Sequence, residues 1–157
     1  MMSTYFSRVN RFNAVLAYPA ERLQSLTLLG MRLYVSWMFF PAGLSKVEDW
    51  GATMFLFEFE YQVPLLSPMI AAWLGTLGEL LFPALLTLGL FSRFSAAGLF
   101  VLNAVAVISL SVIQPAALAE HLLWGGALLV VMLWGSGRLS VDALLSQRER
   151  QCNAERL

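Results

Sequence analysis

Two ionisable side chains, Arg32 and Glu79, interrupt long apolar segments of this 157-residue chain. Arg32 lies in the run 26–44 and Glu79 in the run 63–90, and each run is otherwise long and apolar enough for a membrane-spanning helix. A charged side chain at the bilayer centre costs about 2.5–3.5 kcal/mol on insertion scales, so it is retained where it has a partner, a water-filled cavity or a function. These two charges are therefore the first candidates for a functional site.

An intramembrane polar cluster is predicted around them. Counted at about 1.5 Å per residue from the cytoplasmic helix ends, Arg32 lies roughly 9 Å deep, Glu79 roughly 16 Å and Asn103 roughly 14 Å. Ser36 lies one turn beyond Arg32 on the same helix face. We predict an ion pair between Arg32 and Glu79, with Asn103 as a hydrogen-bonding neighbour. The pair either clamps the helix register or forms a site for a ligand or a proton, and the residues leave both roles open.

A second, outer-edge polar cluster is predicted where the first span ends and the fourth begins. Its members are Lys46, Asp49, Glu120 and His121. His121 is the only histidine, so one subunit cannot supply several imidazole ligands to a metal, and no metal site is predicted. A single histidine at this level is more often a hydrogen-bonded anchor than a ligand or a proton relay.

Several classes of function are excluded by residues that the chain lacks. The sole cysteine, Cys152, provides no dithiol pair for disulfide exchange. Neither a haem-ligand pair, a glycine-rich phosphate loop nor a nucleophile with a nearby base is visible. The formal net charge of zero argues against a nucleic-acid partner. No catalytic residue is predicted, and a redox role would require a diffusible cofactor or a partner protein.

The composition places these residues in an all-α membrane protein. Hydrophobic residues make up 59% of the chain and charged residues only 13%, about half of what a soluble domain carries. Four apolar runs bounded by charges or turn residues predict a four-helix transmembrane bundle that forms one domain over 1–157. The predicted spans are about 25–45, 66–90, 94–113 and 122–139.

Basic residues flank the spans mostly on one side, which predicts that both termini are cytoplasmic. The side with excess positive charge carries Arg8, Arg11, Arg22, Arg93, Arg138, Arg148, Arg150 and Arg156. On the other side Lys46 is accompanied by several acidic residues.

Two further helices are predicted outside the spans. Aromatic residues at helical spacing within the first 23 residues indicate an amphipathic helix on the inner membrane surface, ending at Pro19, although a frayed tail fits nearly as well. The segment 46–64 is rich in aromatic residues, which favours a short periplasmic helix that covers the outer end of the bundle.

The order and spacing of several motifs resemble the DoxX family of small four-helix membrane proteins over about 26–144. The matching positions are Arg32, PAGLSK at 41–46, DW at 49–50, Thr53, GEL at 78–80, LGL at 88–90 and Arg93. FEFEYQVP at 57–64, NAVAV at 103–107, HLLWG at 121–125 and GSGRLSVD at 135–142 resemble the subgroup encoded beside multinuclear-iron oxygenases and metal-binding peptides.

The resemblance implies a multi-pass protein of the bacterial inner membrane, in contact with the lipid bilayer. It implies an accessory or quinone-interacting subunit of a membrane redox system, with quinone as the candidate cofactor. The alternative is a non-enzymatic scaffold or permeation helper in copper stress or peptide export. Partners would be redox proteins or proteins of metal-peptide biosynthesis, and a homo-oligomer stays open. The family's polar positions fall on Arg32, Lys46, Glu79, Asn103 and His121.

Overall fold

The computed structural model describes the backbone of residues 2–154 and the side chains of residues 22–152. Within that part of the chain, all regular secondary structure is helical. In chain order the helices are α1 (Met2–Glu48), α2 (Trp50–Phe59), α3 (Pro68–Leu88), α4 (Ser92–Ser109), α5 (Pro115–Trp134) and α6 (Val141–Ala154). The predicted all-α class is confirmed.

Among the helices of the described residues, three are long and apolar enough to cross a membrane, namely α3, α4 and α5. They correspond to the predicted spans 66–90, 94–113 and 122–139. Helix α5 begins seven residues earlier than predicted, because Pro115 suits the first helical turn and the polar residues 120 and 121 do not interrupt a helix. Left-handed backbone at Gly89 (φ 71°) and positive φ at Gly135 (φ 82°) end α3 and α5.

Helix α1 contains the predicted first span, 25–45, and extends far beyond it. The predicted helix end at Pro19 is wrong, because α1 continues through that residue. A proline inside a helix removes one backbone hydrogen bond and its ring clashes with the preceding turn, at a cost of about 3 kcal/mol, so it kinks or breaks a helix and does not always end it. An amphipathic face was predicted for the first 23 residues. The side chains of residues 1–21 lie outside the described part of the chain.

The short helix predicted between the first two spans is present as α2. Asp49 caps it, since its Oδ1 accepts a hydrogen bond from the Ala52 N–H at 2.9 Å. Phe57 packs with Ala71 and Ala72, so α2 lies on the first turns of α3. We refer to this end of the bundle as the α2 end, and to the opposite end, where α6 begins, as the α6 end.

Four helices form the bundle, in the spatial order α1, α3, α4, α5, with α5 returning to α1. Glycine allows two of these helices to approach closely. A Cβ atom at Gly78 would lie 2.5 Å from the Leu102 side chain, and one at Gly98 would lie 2.5 Å from the Phe82 ring. These contacts fix α3 and α4 as an antiparallel pair with Gly78 level with Leu102.

Candidate functional site

Arg32 and Glu79 do not form the predicted ion pair. The Arg32 side chain is 1% exposed and is bound entirely by backbone carbonyls. Its Nε donates to Leu86 O (2.8 Å), its Nη1 to Ser136 O (2.9 Å) and Leu139 O (3.0 Å), and its Nη2 to Thr87 O (2.9 Å). The last carbonyls of a helix lack intrahelical donors and carry partial negative charge, so the end of α3 is a natural site for a guanidinium.

The prediction failed because the depths of Arg32 and Glu79 were each counted along their own helix. Such a count does not include the offset of α1 relative to α3 along the bundle axis. Ser36 donates to the Pro83 carbonyl at 3.1 Å, and a Cβ at Gly43 would lie 3.0 Å from the Glu79 Cβ. Glu79 is thus level with Gly43 on α1, eleven residues and about 16 Å beyond Arg32. Arg32 lies at the α6 end of the bundle, and Glu79 lies towards the α2 end.

Asp142, which was not among the predicted site residues, completes the structure around Arg32. Its carboxylate accepts hydrogen bonds from the Phe91 N–H (2.9 Å), the Ser92 N–H (2.9 Å) and the Ser92 hydroxyl (2.8 Å). It therefore caps α4 from the start of α6. Gly89 must lack a side chain here, because a Cβ would lie 2.5 Å from Arg32 Nη2. The sequence signal was an acidic residue in the first turn of α6, directly after the glycine-containing turn 135–140, but this signal does not indicate that the acid caps α4.

Glu79 pairs instead with Lys46, which was predicted to belong to the outer-edge cluster. Lys46 Nζ lies 2.5 Å from Glu79 Oε2, and the two side chains are 18% and 17% exposed. The Lys46 carbonyl accepts a hydrogen bond from the Thr53 hydroxyl of α2 at 3.0 Å. The ion pair therefore joins α1 to α3 beside the point where α2 begins.

Two hydroxyl groups lie near this ion pair. Thr76 is one turn before Glu79 on α3 and is 2% exposed, and its Oγ1 has no hydrogen-bond partner among the described residues. Burial, and then the negative charges of Glu79 and Glu60, raise the pKa of the Tyr61 phenol, so it stays an uncharged donor. We call Lys46, Tyr61, Thr76 and Glu79 the α2-end cluster.

Asn103 is bonded to His121 and not to the Arg32 region. Asn103 Nδ2 donates to the His121 carbonyl at 2.9 Å, and His121 Nδ1 lies 2.8 Å from Asn103 Oδ1. The imidazole packs edge-on against Trp124, with ring centroids 4.9 Å apart. Because Gly78 is level with Leu102, Asn103 is within about one turn of the height of Glu79, as the depth count predicted for these two residues.

The outer-edge cluster does not assemble as predicted. Lys46 turns to Glu79, His121 to Asn103, and Asp49 to the N-terminus of α2. Glu120 is exposed. The error has one cause: adjacency at a helix end does not specify which neighbouring helix a side chain faces.

The geometry provides charge and hydrogen bonds but no set of metal ligands. Among the described residues, no three His, Cys, Asp or Glu side chains lie together as a metal ion would require. The α2-end cluster offers a cation, two hydroxyl donors and a carboxylate in an otherwise apolar helix seam. Lys46, Tyr61 and Thr76 can each donate a hydrogen bond to a ligand that carries acceptor atoms.

Comparison with known proteins identifies similarity at the level of a family. A family model described as DoxX matches residues 27–112, a range that includes Arg32, Lys46, Glu79 and Asn103. A protein of Haemophilus influenzae described as uncharacterized is 31% identical over 131 residues, which cover 78% of this chain and 85% of that protein. No solved structure matches.

Proposed function

The chain belongs to the DoxX family and is a multi-pass membrane protein, and on that basis we propose that it is a quinone-binding accessory subunit of a membrane redox system. The single observation that carries this proposal is the Lys46–Glu79 ion pair inside the bundle, with the buried Thr76 hydroxyl left unpartnered one turn away. The site would lie in one domain of the bacterial inner membrane, with both termini cytoplasmic.

The proposal includes a fourth span, residues 25–45 of α1. This segment packs against α3 and α5 and completes the ring of helices. Its outward face carries large apolar side chains, namely Leu26, Leu33, Trp37, Phe40 and Leu44. The Arg32 charge does not oppose insertion strongly, because all four of its hydrogen bonds go to carbonyls at the α6 end, where α3 also ends.

A quinone head group fits the chemistry of the α2-end cluster. Its two carbonyl oxygens only accept hydrogen bonds, and Lys46, Tyr61 and Thr76 are donors. A buried hydroxyl without a partner costs about 1–3 kcal/mol, which a bound carbonyl would offset at Thr76. Apolar side chains on the neighbouring helix faces, such as Trp73 and Leu77, provide a surface for the isoprenoid tail.

The electrons would come from a partner protein, since the chain has one histidine and one cysteine and Cys152 is exposed. The proposed role is to hold the quinone where that partner can reduce or oxidise it. Glu79 is the carboxylate of the α2-end cluster and the candidate for proton exchange with the head group.

Quinone binding is the direct test. The full chain in lipid nanodiscs is titrated with a short-chain ubiquinone while the quenching of tryptophan fluorescence is followed. Two tryptophans are expected to report binding: Trp50 begins α2, Trp73 lies one turn before Thr76 on α3, and their ring centroids are 4.4 Å apart. We expect saturable quenching, and Thr76→Val should weaken binding about 5- to 10-fold because one hydrogen bond is lost. Thr87→Val, an exposed position on the same helix, is the matched control. Absence of saturable binding, or equal weakening by both variants, rejects the proposal.

The scaffold or permeation helper is the second candidate, and one observation favours it. Arg32, Glu79 and Asn103 each have protein partners, as they would in a purely structural clamp. A deletion strain separates the two candidates. Loss of respiration-linked oxidation supports the quinone subunit, whereas copper sensitivity with normal respiration supports the scaffold.

A further inference from the structure

The Asn103–His121 contact determines which imidazole nitrogen carries the proton. The His121 backbone carbonyl can only accept a hydrogen bond, so the Asn103 group facing it at 2.9 Å must be the amide NH₂. The amide oxygen then faces His121 Nδ1 at 2.8 Å, and Nδ1 must be the donor. Neutral His121 is therefore the Nδ1–H tautomer, and its Nε2 carries a lone pair.

The backbone of α5 is shaped to permit this contact. A Cβ at Gly125 would lie 3.2 Å from Asn103 Nδ2, which is closer than a side chain normally allows. The next residue, Gly126, has no atom within 4 Å of a Cβ placed on it. Gly125 thus makes room for the Asn103 amide, and Gly126 provides a matched position without that role.

The free nitrogen of His121 is available to a ligand. Within the described residues, Nε2 makes no hydrogen bond and is not among the buried polar atoms that lack a partner. The ring lies beside an aromatic wall in which Trp124 stacks edge-on against Phe39, with centroids 5.6 Å apart, and donates to the Tyr34 hydroxyl at 3.4 Å. An acceptor nitrogen next to aromatic rings suits a flat ligand that donates an O–H group.

We propose that His121 Nε2 is a second docking point, which accepts a hydrogen bond from the hydroxyl of a reduced quinol. This inference rests on the proposed quinone function and adds a preference for the reduced form. The α2-end cluster supplies donors for carbonyl oxygens, and His121 supplies an acceptor for a hydroxyl group. Asn103 is the positioning residue, because it holds the tautomer without contacting the ligand.

The tautomer is testable without any ligand. His121 is the only histidine, so ¹⁵N-histidine NMR of the full chain in nanodiscs, free of any histidine tag, reports this residue alone. We expect a protonated Nδ1 and an unprotonated Nε2 in the wild type and in Gly126→Ala. Asn103→Leu and Gly125→Ala should lose this preference. An Nε2–H tautomer in the wild type overturns the proposal.

The ligand preference is tested with a short-chain ubiquinol and its dimethyl ether, in which methyl groups replace the two hydroxyl protons and no O–H donor is left. We expect the wild type to bind the quinol about tenfold more tightly, the effect of one hydrogen bond, and His121→Phe to remove the difference while ether binding is kept. Binding of the oxidised quinone without any preference for the quinol over the ether overturns this inference and leaves the proposed function standing. If none of the three ligands binds, both fail.

Discussion

Replacing Arg32 should be among the most destabilising single changes in the bundle. In Arg32→Leu the four carbonyls at the α6 end lose their guanidinium donor. Leu86 O still accepts a hydrogen bond from the Gly89 N–H at 3.1 Å. The loss of a hydrogen bond therefore falls mainly on the carbonyls of Thr87, Ser136 and Leu139. Each buried polar group left unpaired costs about 1–3 kcal/mol, and water at the helix ends offsets part of that cost. We therefore expect the free energy of unfolding to fall by about 3–5 kcal/mol.

The magnitude can be measured by reversible denaturant unfolding in mixed micelles at constant lipid composition. Arg32→Lys keeps the charge but lacks the planar fork that reaches carbonyls on two sides, so we expect about half of the full loss. Arg93→Leu is the matched control: Arg93 is exposed and donates one 3.3 Å bond to Leu133 O, so its removal should cost less than about 1 kcal/mol.

Two results would refute this account of Arg32. The first is an Arg32→Leu variant whose free energy of unfolding lies within about 1 kcal/mol of that of Arg93→Leu. Several buried carbonyls without a donor should lower this free energy by more than that. The second is an Arg32→Lys variant as stable as the wild type, which would mean that the charge matters and the fork geometry does not.

Three further changes test other contacts by the same unfolding assay. A double-mutant cycle of Lys46→Met and Glu79→Gln should give a coupling energy of about 1–3 kcal/mol. The cycle of Arg32→Leu and Glu79→Gln should be additive within about 0.5 kcal/mol. The reverse result would support the ion pair between Arg32 and Glu79 that the sequence predicted. Asp142→Ala should cost about 1–2 kcal/mol through loss of the α4 cap, and Asp142→Asn less; equal losses would contradict the capping role. Gly98→Val should cost about 1–3 kcal/mol because its side chain would meet the facing phenylalanine ring, and unchanged stability would disprove that contact.

Most of the fold follows from local properties of the sequence. Length and apolarity locate α3, α4 and α5, and aromatic density locates α2. These features depend on near neighbours in the chain, because hydrogen bonding within a helix and transfer into the bilayer are decided segment by segment.

The partners of those residues were decided by the tertiary structure. Arg32 binds carbonyls, Glu79 binds Lys46 and Asn103 binds His121, although Glu79 and Asn103 lie at similar heights, as predicted. A sequence gives the distance along one helix but not the offset and rotation of that helix relative to the next. Those are fixed by close contacts such as Gly43 with Glu79 and Gly78 with Leu102. The sequence by itself determined which side chains needed hydrogen-bond or ion-pair partners inside the bundle. Packing between the helices determined which groups became those partners.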